Sequence, residues 1–157
     1  MTPDDRCNFE ANSLFAAITQ IGINGTEPFL DGEFCGGQCH IFKVSFKNEP
    51  SVAIRVPLYM NAGSPDAKIE ALRAELRNLE TLKAKGFRWA PRCRGCNLTF
   101  DNPVKHPFVV LTWIEGWRLS WGKDFPPQPM RDKVLSQMAS IQLSLLECTL
   151  ESGICHA

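Results

Sequence analysis

Val52-Ala53-Ile54-Arg55-Val56-Pro57 is the stretch on which the fold of this chain turns. Val52, Ile54 and Val56 alternate with Ala53 and Arg55, and a period of two places Leu58 with the branched residues on one face of a strand. Arg55 is then a cation on the second face of an otherwise apolar strand. Upstream, His40, Phe42, Val44 and Phe46 alternate with Ile41, Lys43, Ser45 and Lys47, which predicts a half-buried strand from His40 to Phe46. Lys47-Asn48-Glu49-Pro50 lies between the two runs and is turn-forming, so they pair as an antiparallel hairpin.

Downstream, Ser64-Pro65-Asp66 opens a helix: Ser caps free N–H groups, Pro is pre-set for the first turn, and Asp suits the positive end of the dipole. Gly86 is its natural stop. Ile69, Leu72, Leu76, Leu79 and Leu82 form one stripe, and at about 100° per residue Glu75 falls between Leu79 and Leu82. A carboxylate buried there without compensation is strongly unfavourable, so Glu75 is expected to pair with Arg55. The alternative places Glu75 at the margin of the stripe, in water. Lys83 also projects toward the stripe, although a last-turn lysine can carry its ammonium outward.

Farther out, Asn12 to Ile21 opens with Asn and Ser and sets Leu14, Phe15, Ile18 and Ile21 on one side of a short helix, closed by a turn through Gly22, Asn24 and Gly25. Extended runs at Pro91 to Cys96 and Phe108 to Thr112, separated by Asp101-Asn102-Pro103, bring the sheet to about five strands. A connector rich in Trp and Pro leads to a final helix from about Met130, with Val134, Met138, Ile141 and Leu145 on one face. The expected class is α+β: an antiparallel sheet packed against the Glu75 helix, plus a C-terminal helix. Three segments are expected: an N-terminal helical segment over 1–29, the sheet lobe over 30–116, and the connector with its helix over 117–157.

The chain has 157 residues, 44% of them hydrophobic, which suffices for one domain with a core. Lys plus Arg equal Asp plus Glu at 17 each, so no global basic field gathers nucleic acid or anionic lipid. No apolar run is long enough to span a bilayer, and Met1-Thr2-Pro3-Asp4-Asp5 is acidic where a signal peptide is basic; a cytoplasmic location without a membrane partner is expected. The glycosylation-type triplets at Asn24 and Asn97 matter only in secreted chains. Seven cysteines, an odd number, argue against a closed disulfide framework. Cys93-Arg94-Gly95-Cys96 has zinc-knuckle spacing, with Cys35, Cys39, Cys155 and His156 as further donors, but no second pair has that spacing, and buried free thiols explain the residues as well.

Gly36-Gly37-Gln38-Cys39-His40 is a glycine-containing turn between extended segments, which lets backbone N–H groups approach phosphate oxygens; an ordinary hairpin turn accounts for it equally. In order, the chain offers this hairpin, a strand with a central cation, a helix with an inward Glu, two strands, and Phe108-Val109-Val110-Leu111-Thr112-Trp113-Ile114-Glu115-Gly116. Over roughly residues 30 to 150 this resembles the N-terminal lobe of the protein kinase-like superfamily, in its aminoglycoside phosphotransferase and choline kinase-like branch. The resemblance implies binding of ATP with Mg2+. Gly36 and Gly37 would lie over the phosphates, Arg55 would stand where the family has its phosphate-binding Lys, and Glu75 would be its helix partner. It implies a hinge from Thr112 to Ile114, with backbone groups of Thr112 and Ile114 bonding the adenine and Val44, Ala53 and Leu111 lining an apolar slot.

Two departures stand out. Arg replaces Lys, and a planar fork is not equivalent to an ammonium, though it binds phosphate. Transfer also requires a catalytic Asp, an Asn and a metal-binding Asp. Among His40, His106 and His156 none begins a His-x-Asp loop, and Asp124-Phe125 is followed by Pro126 and precedes the helix it should come after. The expectation is therefore a nucleotide-binding lobe of a small-molecule phosphotransferase that does not catalyse transfer alone, as a truncated or alternatively spliced product or a lobe kept without activity. The acceptor is unassigned. Two other readings stand beside it: a noncatalytic domain of this fold whose final helix binds a partner protein or a second copy, and a zinc-stabilised binding module.

Overall fold

The computed structural model describes residues 9–36, 39–57, 64–116 and 119–150. Along them run α1 (Ala11–Gln20), β1 (Phe29–Cys35), β2 (Cys39–Ser45), β3 (Val52–Pro57), α2 (Pro65–Ala84), β4 (Cys93–Asn97), β5 (Phe108–Thr112) and α3 (Gln128–Leu150). The five strands form one antiparallel sheet in the order β1-β2-β3-β5-β4, in keeping with the expected α+β class and about five strands. Leu58, Gly37, Cys155 and His156, each given a part in the sequence reading, lie outside the described residues.

Register decides what each face carries. Ile41 stands opposite Arg55 and Lys43 opposite Ala53, while Arg55 and Ala53 stand opposite Val109 and Leu111 of β5. Paired positions share a face and neighbours along a strand do not. Phe42, Val44, Val52, Ile54, Val56, Phe108 and Val110 therefore point together to one side, where they form a core with Leu14, Ala17 and Ile18 of α1. On the opposite side Ala53, Val109 and Leu111 join Leu72, with Leu76 and Leu79 packed against them.

The helix of residues 1–29 is one of the two covers of the sheet: α1 belongs to the same compact unit, which comprises the described residues up to Glu80 together with Pro91–Trp113. A second unit holds Thr81–Ala90 and the described residues from Ile114 onward.

Local chemistry sets the helix ends. At α2, Ser64 Oγ accepts from the Ala67 amide at 3.3 Å, Pro65 takes the first helical position, and Asp66 lies in the first turn. Its C-terminus closes at Gly86, whose φ of +76° suits a residue without Cβ, with the Phe87 amide donating to Leu82 O at 2.9 Å. At α1 the cap position falls on Glu10, which makes no side-chain cap bond, so Asn12 and Ser13 lie inside the first turn.

In the second unit, α3 begins two residues before the expected Met130. Arg131 ties its start to the preceding connector, donating from Nε to Pro126 O at 2.6 Å and from Nη2 to Lys123 O at 2.8 Å while lying over the Trp121 ring. Lys85 Nζ donates to Cys148 O near the other end. The covered seam of α3 runs through Val134, Ile141 and Cys148; Met138 and Leu145, expected on that seam, are exposed. A seven-residue spacing holds one side of a helix, whereas Met138 lies four residues beyond Val134 and drifts off it.

Candidate functional site

Arg55 and Glu75 meet. The Arg55 guanidinium donates from Nη1 to Glu75 Oε2, joining the third strand to the helix that covers its face. The Arg55 and Glu75 side chains are 25% and 35% exposed, so both sequence alternatives hold part of the answer: Glu75 is paired, and it lies at the margin of the helix stripe. Leu72 is the buried member of that stripe, and Glu75, three positions on, sits beside its seam. A partly exposed pair keeps part of its hydration and avoids part of the desolvation that opposes a buried one.

The other expected site residues separate. Ala53 and Leu111 lie on the Arg55 face, at 9% and 8% exposure. Val44 does not join them. It is fully buried on the α1 side, because the register sets Lys43, not Val44, opposite Ala53. Gly36 closes the β1–β2 hairpin with its own amide, which donates to Cys39 O at 2.9 Å, and a Cβ there would meet that oxygen at an ordinary 3.5 Å. The amide is thus committed within the turn. The Thr112 amide is likewise spent, donating to Arg92 O at 2.8 Å, while Thr112 Oγ1 accepts from the Arg92 amide at 3.0 Å. Ile114 is exposed and belongs to the second unit.

Further residues given no site role by the sequence share the Arg55 face. Gly32 of β1 stands opposite Lys43, and Phe34 opposite Ile41. A register irregularity between Leu30 and Gly32 inserts Asp31 as an extra residue, whose carboxylate reaches Lys43 Nζ at 2.7 Å and accepts from Ser45 Oγ at 2.9 Å. The Lys43 ammonium, with the Ser45 hydroxyl behind it, holds the Asp31 carboxyl below the usual carboxylate range. Trp113, just past the end of β5, stacks on Phe34 with ring centroids 5.6 Å apart and planes 27° apart, and Lys43 Nζ lies 5.1 Å from the Trp113 ring.

That stack crosses the sheet. Two strands separate β1 from β5, three steps of about 4.8 Å, so rings from Phe34 and Trp113 that touch must lie over β2 and β3. Gly32 makes room for them, since a Cβ there would come within 2.9 Å of the Phe34 ring. Trp113 also packs against the cluster of Ala53, Val109, Leu111 and Leu72. Its Nε1 is buried and has no acceptor among the described residues, an arrangement that costs roughly 1–3 kcal/mol for an unpaired donor. Lys43 was legible in part, because the strand alternation already assigns it to the face of Arg55. The contact of Phe34 with Trp113 had no signal in local pattern.

The cysteines divide by surroundings. Cys93 stands opposite Leu111 and Cys96 opposite Val109, and an irregularity between Cys93 and Gly95 keeps both on the α2 side. Burial pushes the Cys96 thiol up, favouring the protonated form. Among the described residues no three His, Cys, Asp or Glu side chains converge as a metal site. His40 is buried on the α1 side, with Nε2 2.6 Å from Glu33 Oε1 and its ring against Phe9 and Phe42, away from Arg55.

No helix among the described residues is long and apolar enough to cross a membrane. Comparison of the chain with protein-family models, curated proteins and solved structures finds no match.

Proposed function

We propose that the first unit is a nucleotide-binding lobe of the kind found in aminoglycoside phosphotransferase-like small-molecule kinases, with Arg55 as the residue that meets the phosphates of ATP. The observation that carries the reading is the Arg55–Glu75 pair, made between a sheet strand and the helix packed on it. Glu75 engages one guanidinium nitrogen, and a guanidinium has five N–H donors in a fixed fork, so the pairing orients the cation without consuming it. The element order agrees: glycine hairpin, cation strand, helix, two further strands. The role carried over to Gly36 weakens, because its amide already serves the hairpin. Asp31 and Glu75 on this face are each paired with a cation, and among the described residues no three acidic, His or Cys side chains converge, so residues here do not fit a resident Mg2+, which would arrive on the nucleotide. Binding, rather than transfer, is the activity proposed, and the acceptor class stays unassigned.

Calorimetric titration of the folded chain with Mg-ATP tests this. Saturable binding in wild type that falls about tenfold or more in Arg55→Ala is expected, the loss of a charge-assisted phosphate contact. Equal affinity in the two proteins would remove the phosphate role.

A second reading, a domain that docks on another chain or on its own copy through α3, has its own observation. Leu135, Met138, Leu143, Leu146 and Leu150 are each more than half exposed, at 53%, 52%, 61%, 53% and 64%. Exposed apolar surface of this kind favours association. Sedimentation over a hundredfold range of concentration, roughly the span in which a weak dimer shows itself, would reveal it. A constant monomer mass would set self-association aside.

A further inference from the structure

We propose that Trp113 is a built-in plug on the Arg55 face: its indole occupies the apolar slot beside Ala53 and Leu111, with Phe34 and Lys43 as the latch, and a planar ligand enters only when Trp113 swings out. The inference rests on the nucleotide reading and adds to it a gate inside the lobe itself.

Three observations converge on this device. Ala53 and Leu111, the residues a flat ring would lie against, are about nine-tenths covered in a cluster that Trp113 packs against together with Leu72, Leu76 and Leu79 of α2. The covering is held from the far edge of the sheet, because Phe34 from β1 and Trp113 from the end of β5 lean toward each other over β2 and β3 and stack, while Lys43 faces the indole and is anchored to Asp31. The closed position is also imperfectly satisfied. The Trp113 indole N–H is buried without an acceptor among the described residues, and Phe34, its stacking partner, is half exposed. A buried indole N–H normally finds a partner. Closure thus has weak points at the indole N–H and at Phe34, and a heteroaromatic base could offer the Ala53 surface an equivalent flat contact. A nucleoside base is the ligand class this fits: planar, polarizable, and linked to phosphates that Arg55 can meet.

Titrations of the full chain with Mg-ATP and with adenosine, in wild type, Phe34→Ala and Trp113→Ala, decide it. A closed state holding about four-fifths of the molecules lowers apparent affinity about fivefold, so Trp113→Ala should bind both ligands about fivefold tighter than wild type or better, with Phe34→Ala shifted the same way. Adding Arg55→Ala to Trp113→Ala should then weaken ATP and leave adenosine unchanged. Binding seen only after Trp113→Ala or Phe34→Ala would be the strongest support. If wild type binds and both variants bind equally or more weakly, the plug is overturned while the nucleotide reading stands. If wild type and the folded variants all fail to bind either ligand, the nucleotide reading falls and takes the plug with it. Should Trp113→Ala fail to fold, Phe34→Ala decides alone, since a half-exposed ring on an edge strand can be removed without opening the core.

Discussion

Arg55 and Glu75 show what one charged pair contributes when it is neither buried nor free. The two side chains are 25% and 35% exposed, so water screens the attraction and the pair resembles a good surface ion pair more than an interior one. In a urea double-mutant cycle, Arg55→Ala and Glu75→Ala should couple by about 0.5–1 kcal/mol. A coupling near zero would mean the contact positions the guanidinium without adding stability. Asp31 makes a separate, pH-dependent contribution. Its carboxyl is held below the ordinary value by the Lys43 bond first and the Ser45 bond second. A lowered folded value means stability that is fully present above the unfolded pKa of about 3.9 and lost as pH falls through the folded value. Thermal unfolding followed from about pH 5 down to pH 2 should therefore show a steeper acid loss in wild type than in Asp31→Asn, which has no such group to protonate. Parallel curves would show that Asp31 is not held as the geometry implies.

The elements differ in how firmly they are committed. The first helix is short, yet Leu14, Ala17 and Ile18 are essentially inaccessible, because the sheet presents Phe42, Val44, Ile54 and Val110 to them. Leu14→Ala should cost about 2–5 kcal/mol of unfolding free energy, the range for a core leucine that leaves a cavity. Leu143→Ala on α3 should change it by less than about 0.5 kcal/mol, since that side chain is already 61% exposed. Denaturant midpoints of the two variants make the comparison, and equal shifts would contradict the burial described. Most of the elements were legible because period two and period 3.6 are local properties. Capping chemistry placed the start of α2 correctly, while α1 begins at Ala11, one residue before Asn12, with the extended Glu10 at the cap position and no side-chain cap bond. The seam of α3 was misplaced for a related reason: the helix is apolar on several sides, and pattern alone does not say which side is covered.

At the scale of the whole chain, equal numbers of acidic and basic residues leave no net charge near neutral pH to oppose association. With several leucines exposed along α3, solubility should pass through a minimum near pH 7 and recover toward about pH 5 and pH 9. Light scattering across that range checks it, and a flat profile would show that the exposed residues do not drive association. The sequence by itself determined the α+β class, the antiparallel alternation, and the shared orientation of Ala53 and Arg55, since each follows from spacing between near neighbours along one strand or one helix. It also made Glu75 the expected partner of Arg55, because a carboxylate in an apolar stripe needs a cation. Strand order and register, rather than local pattern, turn Val44 toward α1, make α1 a cover of the sheet, and stack Phe34 on Trp113 against the cluster of Ala53. Those outcomes depend on strand order and register between segments distant in the chain, and a side chain's own neighbours do not encode which far strand will lie opposite it.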